Sequence, residues 1–167
     1  MNATLVRSLA LATVSGSIPF PSIVGQLIAE RVEYYHVDYI RLQFTFYGTE
    51  GGVIVAPLAI ENLPAVASDF NGSALRGAIL DSQQTGQKFT QFCKRAMEAG
   101  VQGYFAFLRG RRVAYFGRNG DHHIEWFPGS APNDAKLRNK AGRPRKHWIY
   151  PGYHPARRSF ILVVRFA

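Results

Sequence analysis

The stretch that decides the fold is FPSIVGQLIAERVEYYHVDYIRLQFTFYG at residues 20–48, because its pattern returns as FTQFCKRAMEAGVQGYFAFLRGRRVAYFG at residues 89–117. The two stretches align without a gap at an offset of 69 residues. The alignment extends outward, so that residues 2–55 correspond to residues 71–124. Solenoid units are shorter, at roughly 20–50 residues. We therefore expect two copies of one block that pack as a pseudo-symmetric pair.

Within each copy the spacing of apolar residues changes from helical to strand-like. Phe20, Ile23 and Leu27 share one side of a helix, and a shorter apolar pattern at residues 5–11 predicts a helix before it. Residues 32–47 are rich in Val, Tyr, Phe and Thr, which favour strands. Glycine turns and a short third strand follow. The sequence thus predicts an α+β fold of two tandem ααβββ repeats in a single domain with an antiparallel sheet.

Composition sets the outer limits of this prediction. The chain has 167 residues, of which 47% are hydrophobic and 13% aromatic, enough for one packed core. Its single cysteine, Cys93, excludes an intrachain disulfide and fits a reducing compartment. The apolar run at residues 9–14 is short for a secretory signal, and no run approaches the roughly 20 residues of a membrane span. We expect a cytoplasmic protein with no membrane segment.

Positive charge is concentrated in one part of the chain. Residues 1–131 hold 11 Lys or Arg against 10 Asp or Glu, whereas residues 132–167 hold 9 against Asp134 alone. The sequence pI near 10.1 therefore comes from the C-terminal residues. We expect a near-neutral globular domain at residues 1–131 and a basic, flexible tail at residues 132–167.

Several short motifs resemble a known family. They are QQTG at residues 83–86, FCK at 92–94, EAGV at 98–101 and YFG at 115–117. Together they are similar to the YbcV/YdfO-like family of small bacterial proteins, known as domain of unknown function 1398. The resemblance covers about residues 3–127 and implies an α+β fold and a prophage-associated protein, some relatives being labelled "phage envelope protein". It implies no established activity and no catalytic residues.

The chain departs from that family after Phe127. The remaining residues 128–167 are either a selected functional tail or an accident of the reading frame. Their segment KAGRPRK at residues 140–146 resembles an AT-hook, a Gly-Arg-Pro motif that enters the A·T minor groove, although Ala141 replaces the usual first arginine. The competing interpretation is a solvated tail that attracts any polyanion. The candidate phosphate contacts of the tail are Lys140, Arg143, Arg145 and Lys146.

A second group of cations lies within the globular region. Arg109, Arg111 and Arg112 fall between the first two predicted strands of the second copy, where a hairpin tip is expected. Guanidinium groups bind phosphate or carboxylate through paired hydrogen bonds. The alternative is a turn that is polar only for solubility.

Two further candidate sites are weaker. On a predicted strand, Asp121, His123 and Glu125 share one face, which suits ligand or metal binding or general acid–base chemistry. The alternative is the exposed face of an edge strand. Cys93 lies on the apolar side of its helix, where we expect a small buried hydrophobic residue.

The aromatic residues leave two arrangements open. Strand alternation places Tyr34, His36 and Asp38 on one face and Tyr35 with Val37 on the other. If helices cover one side only, an aromatic face remains exposed, which indicates a partner. If the copies stack sheet to sheet, both faces are core. For a duplicated protein we expect the second arrangement.

The sequence favours a non-enzymatic accessory protein that acts by binding, with a cationic tail that contacts nucleic acid. No cofactor is expected. One alternative is a ligand-binding or metal-binding protein, or an enzyme, that uses a cleft with Asp121, His123 and Glu125. Another is a protein-interaction module that acts on a host factor.

Overall fold

In the part of the chain that the structure describes, four helices and six strands follow one another in the order ααβββααβββ. The computed structural model describes residues 1–127 and 129–132. Each element of the second half begins and ends 69 residues after its counterpart in the first half. The predicted α+β class is confirmed. The elements are α1 Ala3–Ser15, α2 Phe20–Ala29, β1 Val32–Asp38, β2 Gln43–Gly48, β3 Val53–Pro57, α3 Gly72–Gln84, α4 Phe89–Glu98, β4 Val101–Phe107, β5 Arg112–Gly117 and β6 His122–Trp126.

The helices begin and end where their sequence signals lie. The side chains of Asn2 and Asn71 accept hydrogen bonds from backbone N–H groups three residues later, which caps α1 and α3. Pro21 occupies the first turn of α2, and Gly100 follows α4 with a φ of 82°. In the part of the chain that the structure describes, none of the helices is long and apolar enough to cross a bilayer.

All six strands form one antiparallel sheet in the order β3-β2-β1-β4-β5-β6. The central pair, β1 and β4, joins the two halves. His36 lies opposite Phe105, the residue 69 positions later. The pairing of β1 with β2 is irregular between Val32 and Tyr34, and the pairing of β4 with β5 is irregular at the equivalent place.

The expectation that the two halves stack sheet to sheet is wrong. Their first strands pair edge to edge instead, which satisfies backbone groups that an unpaired edge would expose. The helices and one face of this single sheet share one hydrophobic core, to which Tyr35, Val37, Phe44 and Tyr104 contribute. The face that carries Tyr34 lies on the other side of the sheet from this core.

The predicted basic tail is not tested by this fold. Residues 133–167, and with them almost the whole of the tail at residues 132–167, lie outside the described residues. Every helix and strand named here lies within residues 1–127.

The close approach of β4 to β1 gives a stability prediction at Gly103. A Cβ atom there would lie 2.6 Å from the carbonyl oxygen of Val37 and 3.0 Å from His36 Nε2. Gly103→Ala should therefore lower the free energy of unfolding by about 1–3 kcal/mol, as other overpacking substitutions do. Urea denaturation measures this change.

Gly25→Ala is the matched control. Gly25 lies in α2, and an added Cβ would have no atom within 4 Å. This change should raise the free energy of unfolding by about 0.5–1 kcal/mol, because alanine loses less backbone entropy in a helix. Equal stability of the Gly103→Ala variant and the unmodified chain would contradict the close pairing of β1 with β4.

Candidate functional site

The face of the sheet opposite the helices, here called the open face, is the strongest candidate for a binding surface. Strand register places its side chains in rows that cross the sheet. One row, here called the aromatic row, runs from β2 to β6. Open faces of antiparallel sheets are usually polar, so an aromatic row there requires an explanation. Its members are Tyr47, Tyr34, Phe107, Arg112 and Trp126.

The rings of the aromatic row contact one another across strands. Tyr34 and Tyr47 stack with ring centroids 4.5 Å apart and an interplanar angle of 14°. The ring of Phe107 lies 5.7 Å from that of Tyr34. All three rings are half-buried. Cross-strand aromatic pairs of this kind hold their rings in a fixed orientation, so the open face presents a preformed surface.

Arg112 continues the row between two rings. Its guanidinium carbon lies 5.6 Å from the ring centroid of Phe107 and 5.3 Å from that of Trp126. Both distances are within the roughly 6 Å range of cation–π attraction. The residue as a whole remains exposed. The row therefore combines rings that stack on one another with a positive charge that solvent can reach.

His36 and Phe105 form the centre of the next row. Their rings stack at 4.3 Å with an interplanar angle of 11°. Burial against this ring lowers the pKa of His36, and the nearby carboxylate of Asp38 offsets part of that effect. The imidazole is therefore held in its neutral form to a lower pH than usual.

The three arginines lie where the sequence predicts, at the hairpin between β4 and β5. Arg109 and Arg111 are in the turn, and Arg112 begins β5. The side chain of Arg109 is 84% exposed, and its nitrogen lies 3.6 Å from a carboxylate oxygen of Glu33. Residues 109–112 are here called the arginine turn. It adjoins the aromatic row because Arg112 belongs to both.

The structure brings together two of the three residues proposed for a ligand or metal site. His123 Nε2 lies 3.5 Å from Glu125 Oε2, on the helix-facing side of β6. Gln83 donates a hydrogen bond of 3.3 Å to the other oxygen of Glu125. Asp121 is exposed and precedes the strand. Among residues 1–127 and 129–132, no group of three His, Cys, Asp or Glu side chains is placed to hold a metal ion.

Cys93 is fully buried in the core, as expected. Burial raises the pKa of its thiol to about 12, although a hydrogen bond with Tyr39 lowers it in part. Burial likewise raises the pKa of Tyr39, Tyr104 and Tyr115. A buried, protonated thiol is a poor nucleophile. This group of side chains contributes to packing.

The candidate contacts of the tail are not placed by the structure. Lys140, Arg143, Arg145 and Lys146 all lie outside the described residues.

Comparison with models of protein families gives a match. The family described as "Protein of unknown function (DUF1398)" matches residues 10–125, which is more than half of the chain. The chain belongs to this family. A search of curated proteins gives no match.

The DUF1398 match covers most of the open face. Four members of the aromatic row lie within residues 10–125, and Trp126 follows directly. The spacing of the sequence motifs alone does not place Arg112 and Trp126 beside Phe107. The sequence does contain a signal for this arrangement. If the strands pair outward from the two predicted turns, residues 107, 112 and 126 lie side by side on neighbouring strands.

The lowered pKa of His36 predicts a pH dependence of stability. As the pH falls, the unfolded chain binds a proton at His36 before the folded chain does. The stability that the neutral His36 side chain contributes is therefore fully present above the ordinary pKa of 6.5 and is lost as the pH falls below it. His36→Phe keeps an aromatic ring against Phe105 and removes the titration. We expect the variant to lose less unfolding free energy than the unmodified chain between neutral and acidic pH.

Chemical denaturation on both sides of pH 6.5 measures this difference. His122→Phe is the control, because its exposed side chain lies on the same face, in edge strand β6. An equal acid loss in the His36→Phe variant and the unmodified chain would show that His36 is not held in its neutral form.

Proposed function

We propose that this protein is a non-enzymatic accessory protein that binds nucleic acid. Arg109, Arg111 and Arg112 contact phosphates from the globular domain. The cations of the tail, chiefly Lys140, Arg143, Arg145 and Lys146, add further contacts. The observation that carries the proposal is the position of Arg112, which lies over Phe107 and Trp126 on an open aromatic face.

The chemistry of that position suits a polyanion with planar bases. Guanidinium groups pair with phosphate oxygens, and the release of counterions from the nucleic acid favours binding. Aromatic rings stack on bases with little dependence on their identity. Arg109 and Arg111 are exposed in the same turn, so cations and rings share one surface.

The burial of the other perturbed groups supports binding rather than catalysis. The cysteine and tyrosines with raised pKa values lie inside the core, where a substrate does not reach them. His36, the perturbed group on the open face, is stacked on Phe105. The rival enzymatic or metal-binding function would use His123 and Glu125, whose side chains lie within 3.5 Å of each other.

A second candidate function is recognition of a host protein by the same face. Val53 and Val55 extend the apolar surface onto edge strand β3 and are 56% and 45% exposed. Exposed apolar patches on soluble proteins commonly mark partner sites. Affinity capture with identification of the bound protein tests this alternative, and loss of capture on Val55→Lys would locate it on the open face.

We also propose that the two halves are copies of one block and that the protein acts in the cytoplasm as a prophage-associated factor. Support for the duplication comes from the constant offset of 69 residues between equivalent elements. Support for the setting comes from the unpaired Cys93 and from the resemblance described above.

Salt dependence tests the proposed function. The full chain should bind labelled DNA at low salt and weaken steeply as salt is added. Replacing Lys140, Arg143, Arg145 and Lys146 by Gln should reduce the slope of log affinity against log salt by up to about 4. Replacing the three arginines of the arginine turn by Gln should reduce the same slope by up to about 3. Fluorescence anisotropy over a salt series measures both slopes.

Arg76→Gln with Lys88→Gln is the control, because both are exposed on the helical side of the molecule. Probes rich in A·T and in G·C distinguish minor-groove selection by the tail from charge attraction alone. Absence of binding at low salt would refute the proposed function.

A further inference from the structure

The sheet ends in two edge strands, β3 and β6, which occupy equivalent places in the two halves. We propose that β6 pairs edge to edge with β6 of a second copy of this chain, about a two-fold axis at Ile124, and forms a weak, closed dimer. Strand addition of this kind extends a sheet through backbone hydrogen bonds. The proposal goes beyond nucleic-acid binding, because it concerns the edge of the sheet and not its open face.

The outer edge of β6 carries a complete set of backbone groups. Asp121 accepts a hydrogen bond from Gly117, and Phe127 donates one to Arg111, so the odd-numbered residues of β6 face β5. Successive residues of an antiparallel strand alternate in this respect. The residues whose N–H and C=O groups point away from β5 are therefore His122, Ile124 and Trp126. Among residues 1–127 and 129–132, none of these outward groups has a hydrogen-bond partner.

The equivalent edge of β3 is protected against strand addition. Its outward residues, Val53, Val55 and Pro57, lie 69 positions before those of β6. Arg7 Nε donates a hydrogen bond of 3.1 Å to the carbonyl oxygen of Val55, and Pro57 has no N–H to donate. Charged side chains and proline are common protections of an edge strand. Within the described part of the chain, Arg76, the counterpart of Arg7, makes no such bond to β6.

The residues of β6 fit a second β6 in antiparallel register. When Ile124 faces Ile124 of the second copy, His122 faces Trp126, and each of the three facing pairs exchanges two backbone hydrogen bonds. On the helix-facing side, His123 then lies opposite Glu125 of the second copy. An imidazole opposite a carboxylate is a favourable cross-strand pair, and no two like charges face each other. The edge is therefore complementary to itself.

Protection of β3 keeps such an assembly closed. If β3 also accepted a strand, it would pair with β6 of another copy, and the sheets would extend without limit. Pairing of β6 with β6 uses the same surface on both copies and ends with two. Because β6 is five residues long, the shared edge is small, and we expect a weak, reversible dimer.

Trp126→Pro tests the pairing in the full chain. The proline removes an outward N–H at the position where β3 carries Pro57, so the fold should tolerate it. We expect the dissociation constant of the dimer to rise about tenfold or more, because each copy loses one backbone donor. Sedimentation from about 1 μM to about 1 mM protein measures this constant.

Trp126→Val is the matched control. It removes the same ring and keeps the N–H, so the difference between the valine and proline variants isolates the backbone bond. The valine variant should form the dimer at clearly lower protein concentration than the proline variant.

Amide hydrogen exchange supplies a second readout at single residues. Exchange at the amides of His122 and Ile124 should slow as the protein concentration rises, because hydrogen-bonded amides are protected. The outward amides of Val53 and Val55 in β3 are the internal control, and their exchange should not depend on concentration.

Three results would overturn the proposal. One is a chain that remains monomeric at about 1 mM. Another is a dimer that the proline and valine variants form equally well, because a different surface would then join the copies. The third is full protection of the β6 amides in the monomer, which would show that another segment of the same chain covers the edge.

Discussion

The pairing of β1 with β4 is the constraint on which the rest of the structure depends. It runs from Tyr39, which donates its N–H to Gln102 at 3.0 Å, to Leu108, which donates to Glu33 at 3.1 Å. These bonds join two three-stranded units into one sheet. Because the sheet is continuous, its rows of side chains are continuous too, and Phe107 of one half, with Arg112 over its ring, lies against Tyr34 of the other. Without this pairing the core would divide and the open face would be lost.

Local elements could be predicted from the sequence because their signals are local. The change from a period of 3.6 to a period of 2 locates helix and strands in both halves, and Gly100 marks the end of α4. The way the halves combine could not be predicted in the same way. Alternation shows that Tyr34 and Tyr35 occupy opposite faces. It does not show whether a second sheet or solvent covers the face that carries Tyr34.

The binding surface illustrates the same limit at the level of single residues. The sequence shows Arg112 as a cation at a hairpin, whereas its chemical setting comes from Phe107 and Trp126 on neighbouring strands. Likewise, strand spacing put Asp121 beside His123, but β6 begins at His122 and leaves Asp121 in the preceding turn. Sequence patterns identify residue types well. Register between strands, a long-range property, decides which of them meet.

The register of the central pair is self-complementary. Residue 36 lies opposite the residue 69 positions later, and its neighbours on each side follow the same two-fold relation. In a polypeptide of residues 1–68 alone, β1 would present an edge with this self-complementary register, but Tyr34 of a second copy would take the place opposite Asp38 that Gly103 fills in the full chain. In the full chain, the connection between β3 and α3 converts such an encounter between two molecules into an intramolecular one, which no longer depends on protein concentration.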